Sequence, residues 1–164
     1  MSEENREYSN AMIEAFIDKP SEALWYQDAF KTFDLKCENP QEWQWYWSWW
    51  AFGTGFLFLL YRKQYFASLL FFILSSLMSF IPIIGGILSM IIAGGYSSFF
   101  VYRGYKTKLL EVENLVEDES KRVQMMQQVG GYHEWVVWAY IVIMLIISYY
   151  LVTLLFTLSH AFAV

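Results

Sequence analysis

The stretch from Trp43 to Lys63 constrains the fold more than any other part of the chain. It opens with five tryptophans between residues 43 and 50, continues as an uncharged apolar segment and ends at Tyr61-Arg62-Lys63. An indole ring has an apolar body and one N–H group, and it concentrates where the bilayer hydrocarbon meets the headgroups. The stretch therefore predicts a membrane boundary, with a polar tail before it and membrane segments after it.

The distribution of charge agrees with a membrane protein. Only 16% of the residues are charged, against about 25% in a soluble domain. The charges are confined to the tail, to Arg62-Lys63 and to a segment from Arg103 to Glu134. Three uncharged runs remain, at 43–61, 64–102 and 135–164. Because a spanning helix needs about 20 apolar residues, the middle run can hold two helices, the last run one, and the first run a short one.

We therefore predict an all-α integral membrane protein with three transmembrane helices, a short Trp-rich first membrane segment and amphipathic polar helices. The predicted parts are an acidic amphipathic tail, the Trp-rich segment with a transmembrane hairpin, a cytoplasmic helix pair and a C-terminal transmembrane helix. They occupy residues 1–42, 43–102, 103–134 and 135–164. The acidic residues near the start predict that no signal peptide is present and that the hydrophobic segments target the chain.

The first membrane segment leaves two alternatives open. A helix from Trp45 to Tyr61 would be roughly 25 Å long, which is short for a hydrocarbon core of about 30 Å. Gly53 and Gly55 also lie in its middle. The segment is therefore either a re-entrant or interfacial helix, or a fourth span.

The tail contains two weakly amphipathic helical patterns. Ser21 is a plausible N-cap for the second pattern, and Asn39-Pro40 would end it. The apolar residues that share a face are Tyr8, Met12, Ala15 and Phe16 in the first pattern, and Ala23, Tyr26, Phe30 and Phe33 in the second. An apolar helical stripe is usually a packing face, so we interpret both as surface helices that rest on the headgroups or on the rest of the protein.

The middle run predicts a helical hairpin, divided by the turn signal Ile81-Pro82-Ile83-Ile84-Gly85-Gly86. Its helices are predicted near 65–80 and 83–101, with small residues where the two backbones approach closely. The predicted helix-packing residues are Ser75, Ser79, Gly86, Ala93 and Ser97. Basic residues at both open ends place those ends in the cytoplasm and the turn outside.

The polar segment after the hairpin predicts two short cytoplasmic helices, at about 106–116 and 119–128. Asp118 is the expected N-cap of the second helix, and Gly130-Gly131 is its expected end. A single continuous helix leaving the membrane is the less favoured alternative. The last spanning helix is predicted from Trp135 to Leu158.

The candidate site is the basic pair Arg62-Lys63 within its aromatic surroundings. The predicted lipid-headgroup or interface residues are Trp47, Trp49, Tyr61, Arg62, Lys63 and Tyr65. Two cations beside aromatic rings could hold a headgroup or phosphate. The simpler interpretation is a topology anchor, because the positive-inside rule already predicts bases beside apolar helices.

Other chemistry finds little support in the sequence. One cysteine, Cys37, and two histidines, His133 and His160, make a zinc cage within one chain improbable. A net charge of −5 without a basic stripe argues against a nucleic-acid partner. The proposed spans contain no charged residue, although proton relays and ion paths usually place one there. We predict no catalytic residue, no metal, no cofactor and no enzymatic activity.

From Trp47 to Tyr65 the chain resembles a bacterial membrane family known as domain of unknown function 2628. The family pattern is W-x-W-x-A-F, a glycine and an aromatic-rich segment, then Y-R-K-x-Y. The residues that match it are Trp47, Trp49, Ala51, Phe52, Gly55, Tyr61, Arg62, Lys63 and Tyr65. This chain has Phe56 and Phe58 where members often have proline and tryptophan. The resemblance implies a multi-pass protein of the bacterial inner membrane, and it implies no activity.

These observations predict a small inner-membrane protein that acts as an accessory or scaffold subunit of a membrane complex. Its expected partners are the lipid bilayer and either another membrane protein or further copies of itself. The alternative is a protein that binds or carries lipid or an apolar solute and uses Arg62 and Lys63 at the headgroup level.

Overall fold

A computed structural model of the protein describes residues 3–36 and 43–161. These residues form helices joined by turns and one extended stretch, without a β-strand, so the predicted all-α class is confirmed for the described part. The helices are α1 Glu3–Ile17, α2 Pro20–Lys36, α3 Trp49–Thr54, α4 Phe56–Tyr61, α5 Tyr65–Met78, α6 Ile84–Leu115, α7 Glu119–Val129 and α8 Glu134–Ala161.

The chain divides into two compact units, residues 1–133 and 134–164. We call the first the N-terminal unit; it contains α1 to α7. The second contains α8, a single helix of 28 residues whose apolar side chains are mostly exposed between Trp135 and Phe156. Two of the described helical segments are long and apolar enough to cross a membrane. One is α6, and the other is the range 119–157, whose apolar part is α8. The predicted number of three or four spans is not reached by this measure, since α5 has only 14 residues.

The predicted tail is part of the core of the N-terminal unit. Both tail helices form, and the apolar faces predicted for them are largely buried. Phe16 of α1 packs against Tyr105 of α6, with ring centroids 5.4 Å apart, and Phe30 of α2 packs 5.4 Å from Tyr102. Of the two alternatives predicted for the tail, packing on the rest of the protein is the one observed, because these aromatic faces meet α6.

The predicted cap of α2 is also wrong. The helix begins at Pro20, so Ser21 lies inside its first turn, and the Ala23 N–H donates to the Lys19 carbonyl at 3.1 Å. Proline suits the first helical position because its missing N–H would have no helical partner there. Cys37 and Asn39-Pro40 lie outside the described residues.

One continuous helix replaces two predicted ones. The second helix of the hairpin and the first cytoplasmic helix join as α6, which runs for 32 residues through Gly104 without a break. The apolar face continues through Tyr105 and Val112, both buried, and this packing holds the helix across the polar boundary. The prediction for α7 is confirmed: Asp118 accepts a hydrogen bond from the Ser120 N–H, and the helix ends at Gly130.

The Trp-rich segment is not one helix. Residues 43–48 are extended and lie along α6, where the Tyr46 N–H donates to the Gly95 carbonyl at 3.0 Å and the Ser48 N–H to the Gly94 carbonyl at 2.8 Å. Ser48 then caps α3, and Gly55, at φ 58°, separates α3 from α4. Glycine tolerates this backbone conformation without the cost of a Cβ, so the chain turns there even without a proline.

Both ends of this segment contact the same part of α2. The Tyr46 hydroxyl donates to the Asp28 carboxylate at 2.9 Å, and the Arg62 Nε donates to the Tyr26 hydroxyl at 3.1 Å. Asp28 and Tyr26 are less than one helical turn apart on α2. The segment therefore leaves α2, turns at Gly55 and returns to α2.

The α5–α6 hairpin forms as predicted, with its closest approach one residue from the predicted position. Ala93 and Ser97 are buried, Ser75 is half-buried, and Ser79 and Gly86 are exposed. A Cβ on Gly85 would lie 1.8 Å from the Met78 carbonyl oxygen, whereas a Cβ on Gly86 would meet nothing within 4 Å. Gly85, and not Gly86, thus allows the hairpin to close.

Candidate functional site

Arg62 lies at the end of α4 and is only 2% exposed. Its guanidinium donates to the Tyr26 hydroxyl at 3.1 Å, to the Ile17 carbonyl at 2.9 Å and to the Glu22 carboxylate. It also lies over the aromatic rings of Tyr26 and Tyr61, 4.7 Å and 5.2 Å from their centroids. A planar guanidinium can satisfy several acceptors and stack on rings at the same time.

These contacts make Arg62 an internal tie between three helices. Ile17 is the last residue of α1, and the carbonyls at a helix C-terminus favour a cation. Glu22 lies in the first turn of α2, where an anion is favoured. Arg62 therefore joins the end of α1 to the start of α2 and the end of α4. A headgroup would have to displace these partners to reach it.

Glu22 is shared between two cations. Its carboxylate accepts from Lys19 at 2.6 Å as well as from Arg62. The hydrogen bond to Glu22 raises the pKa of Lys19, although desolvation acts in the opposite direction. Burial raises the pKa of Tyr26 to about 12, and the positive charge of Arg62 opposes that rise. In this cluster the neutral Tyr26 hydroxyl therefore lies beside the ion pair of Arg62 and Glu22.

Lys63 makes a second contact between helix ends. It has a positive φ of 58°, which a residue with a side chain rarely adopts. Its Nζ donates to the Gly130 carbonyl at the end of α7. Beside it, the Gly131 N–H donates to the Phe16 carbonyl at 2.8 Å. The turn formed by Arg62 and Lys63 thus meets the C-terminal ends of α1, α4 and α7.

A cavity of about 260 Å³ opens beside this turn. Gly104 forms part of its wall, and its polar lining comes from Arg62, Lys63, Gln64, Thr107 and Lys108. A Cβ on Gly104 would come within 2.3 Å of the Gln64 side chain, so glycine is needed for that side chain to lie there. Lys108 also pairs with Glu111 at 2.6 Å on the exposed face of α6.

Tyr61 and Tyr65 contact the segment that follows α7. The Tyr65 hydroxyl lies 2.6 Å from His133 Nε2, and the His133 N–H donates to the Tyr61 carbonyl at 2.9 Å. The Tyr61 ring packs 5.1 Å from the Tyr132 ring. His133 therefore has a specific partner in Tyr65. His160 has no described side chain.

The two predicted interface tryptophans occupy different environments. The Trp47 ring lies against Gly94 and is half-buried, and its Nε1 is buried without a hydrogen-bond partner. Trp49 is largely exposed, and its ring packs 5.3 Å from that of Trp47. The structure thus does not bring the six predicted interface residues together around one ligand-sized space.

Glu22 and Tyr26 are the site residues that the sequence analysis missed. The apolar stripe of α2 assigns Tyr26 to a packing face, and nothing in the sequence indicates that Tyr26 or Glu22 contacts Arg62. Both residues are remote from Arg62 in sequence, so no local pattern indicates that they contact it. Among the described residues, no three His, Cys, Asp or Glu side chains lie together as metal ligands.

No protein-family model, curated protein or solved structure matches this chain. The resemblance to the domain of unknown function 2628 therefore stays a prediction that rests on the residues from Trp47 to Tyr65.

Proposed function

We propose that this chain is a small bacterial inner-membrane protein that acts as an accessory or scaffold subunit of a membrane complex, without enzymatic activity. One observation carries the proposal. Several charged groups near the apolar segments bond to their own chain, as Arg62 does to Glu22 and Lys106 to Asp34 at 2.8 Å. What remains exposed is mainly apolar surface, above all α8.

The fold supports a particular arrangement in this membrane. In it, α8 crosses the bilayer, since its 28 residues would extend about 42 Å. The Trp-rich segment enters and returns on one side, because both of its ends meet α2. The re-entrant alternative therefore receives more support than a fourth span. The α5–α6 hairpin enters the same bilayer beside this segment.

Photo-cross-linking at native expression level tests the scaffold role. A photoreactive amino acid replaces Ile143 or Leu151 on α8, or Trp50 on α3, which are all exposed. The matched control replaces Lys121, an exposed polar position on α7. We expect a discrete protein adduct at one or more apolar positions and none at Lys121.

Purification in mild detergent supplies the second measurement. The scaffold proposal predicts that the cross-linked protein, or a second copy of this chain, co-purifies at a fixed ratio. Recovery of a lone monomer, together with adducts to lipid alone at all three apolar positions, would contradict it.

The cavity beside Lys63 favours one alternative function, the binding of a lipid through an anionic headgroup. Two lysines line it, and its volume of about 260 Å³ exceeds that of a phosphate group. The test is native mass spectrometry of a variant with both Lys63→Ala and Lys108→Ala, because a change at Arg62 would also disturb the core. Loss of bound phospholipid, with retention in a Lys121→Ala control, would support this function. Unchanged lipid would eliminate it.

A further inference from the structure

The tip of the α5–α6 hairpin is an apolar surface without any polar cover. Phe80 is 83% exposed and Ile83 is 82% exposed. The other large exposed residues around the turn are Ile81, Ile84 and Ile87. No charged residue occurs between Lys63 and Arg103. A turn that emerged into water would normally carry polar residues.

The first helix of the hairpin is also short. This helix, α5, has 14 residues, which corresponds to about 21 Å. The hydrocarbon core of a bilayer is about 30 Å thick. If α5 begins near the headgroups at Tyr65, the turn that follows Met78 lies inside the far half of the hydrocarbon layer.

Most N–H groups of the turn donate to carbonyls of the turn or of α5. The N–H groups of Ser79, Ile81 and Gly85 donate to carbonyls within the turn and the end of α5, at 3.0 Å each, and Pro82 has no N–H to satisfy. The hydroxyls of Ser79 and of the flanking Ser76 and Ser89 also donate to nearby backbone carbonyls, at 2.6 to 2.8 Å. Internal pairing of this kind is favoured in a lipid-exposed turn, because hydrocarbon offers no water to bond.

The backbone conformation at the centre of the turn also favours a hydrocarbon environment. Ile83 has φ 64° and ψ −59°, and the Ile84 N–H donates to the Pro82 carbonyl at 2.7 Å. This is a γ-turn with positive φ, which is rare and strained, and a β-branched residue makes it more so. In water the Ile84 N–H could bond to solvent without this strain. In hydrocarbon an unpaired N–H has no solvent partner, so there a strained turn that pairs the Ile84 N–H is favoured.

We propose that the α5–α6 hairpin enters the membrane from the side of Arg62 and returns without crossing it, so that its tip contacts the acyl chains of the far leaflet. The sequence predicted that this turn would lie outside. The proposal rests on the membrane location given above. In this arrangement the N-terminal unit enters the membrane from one side only, and the protein occupies more volume in the leaflet it enters than in the far leaflet.

Spin-label accessibility measures the depth of the tip directly. The full chain carries Cys37→Ser and a nitroxide label at Ile83→Cys, and it is reconstituted alone in phosphatidylcholine–phosphatidylglycerol vesicles. Leu115→Cys, exposed at the polar end of α6, is the matched control. We expect oxygen to relax the label at 83 more strongly than a water-soluble nickel chelate does, with the opposite order at 115.

Two outcomes would overturn the proposal. One is a label at 83 that the nickel chelate reaches as readily as it reaches the label at 115. The other is labelling of Ile83→Cys by a membrane-impermeant maleimide in intact spheroplasts. Phe80→Cys repeats both measurements if the Ile83 variant fails to elute as a single species. A chain that does not fractionate with membranes would instead contradict the membrane location on which the proposal rests.

Discussion

At the scale of single residues, Arg62 explains how the N-terminal unit holds its helix ends together. We predict that Arg62→Ala lowers the free energy of unfolding by ~3 kcal/mol, because it leaves the Ile17 carbonyl without its cation and Glu22 with only the partly exposed Lys19. Arg62→Lys should recover little, since an ammonium group cannot supply the same fork and stacking. Thermal unfolding in detergent, followed by tryptophan fluorescence, measures both effects.

Arg103→Ala is the matched control for this prediction. Arg103 is also a base at the end of an apolar run, but it is exposed, so its loss should change stability by less than about 0.5 kcal/mol. Equal effects of Arg62→Ala and Arg103→Ala would mean that Arg62 is a topology anchor and not a structural tie.

Ionisation of Tyr26 makes the stability of the fold depend on pH. The pKa of Tyr26 rises from 10.0 when unfolded to about 12 in the fold, mainly by burial. The fold therefore favours the neutral phenol. This contribution to stability is complete below pH 10 and is lost as the pH rises through 12. We expect the unfolding temperature to fall more steeply between pH 10 and 12 in the wild type than in Tyr26→Phe.

Comparing the wild type with Tyr26→Phe separates the effect of Tyr26 ionisation from that of the other tyrosines. Burial also raises the pKa of Tyr105, so both proteins lose stability at high pH through that residue. Tyr26→Phe should also lose about 1 kcal/mol at neutral pH, since the Arg62 Nε loses its acceptor. Parallel pH curves for the two proteins would exclude a role for Tyr26 ionisation.

Sequence analysis could identify Arg62 and Lys63 but not their roles. A base beside an apolar helix has the same local pattern whether it faces headgroups or is buried against a carboxylate. The distinction depends on Glu22 and Tyr26, which reach Arg62 only after α1, α2 and α4 have packed. No periodicity or spacing signals such a contact.

At the scale of elements, the extended stretch 43–48 depends on two glycines of α6. A Cβ on Gly95 would lie 2.3 Å from the Trp45 ring. We predict that Gly95→Ala destabilises the protein by ~1–3 kcal/mol, because the ring and its backbone must move away from the Gly95 carbonyl. Thermal unfolding and the tryptophan emission maximum report the two parts of this effect.

Gly86→Ala is the same substitution in the same helix, at a position where a Cβ meets nothing within 4 Å. It should stabilise α6 by about 0.5–1 kcal/mol, since alanine is the better helix former. If both variants changed stability in the same direction, the close packing of Trp45 on Gly95 would be wrong.

The helices that the sequence predicted well are those with a strong local signal. The Asp118 cap and the Gly130 end located α7, and the apolar stripes located α1 and α2. The Trp-rich segment was predicted wrongly as one helix because its conformation depends on α6. Its tryptophans occur at alternate positions, 43, 45 and 47, which suits an extended chain with a partner. That partner surface, at Gly94 and Gly95, is remote in sequence.

At the scale of the whole N-terminal unit, the packing of α1 and α2 determines on which side of the membrane they lie. Asp34 of α2 accepts from the Tyr102 hydroxyl at 2.6 Å and pairs with Lys106 at 2.8 Å. Both partners belong to the polar end of α6. In the proposed membrane arrangement, the basic residues there predict a cytoplasmic location, and we expect α2 to be cytoplasmic as well.

We therefore predict that a cysteine at the end of α2 is accessible only from the cytoplasm. The variant Leu35→Cys, in a Cys37→Ser background, places a thiol at an exposed position of α2. A membrane-impermeant maleimide should label it only after spheroplasts are lysed, as it should label Leu115→Cys at the end of α6. A cysteine added after Val164 should react in intact spheroplasts, because α8 would carry the chain across once. Labelling of Leu35→Cys before lysis would place α2 outside. It would require the Trp-rich segment to cross the membrane, and the contacts of Asp34 with α6 could not then exist.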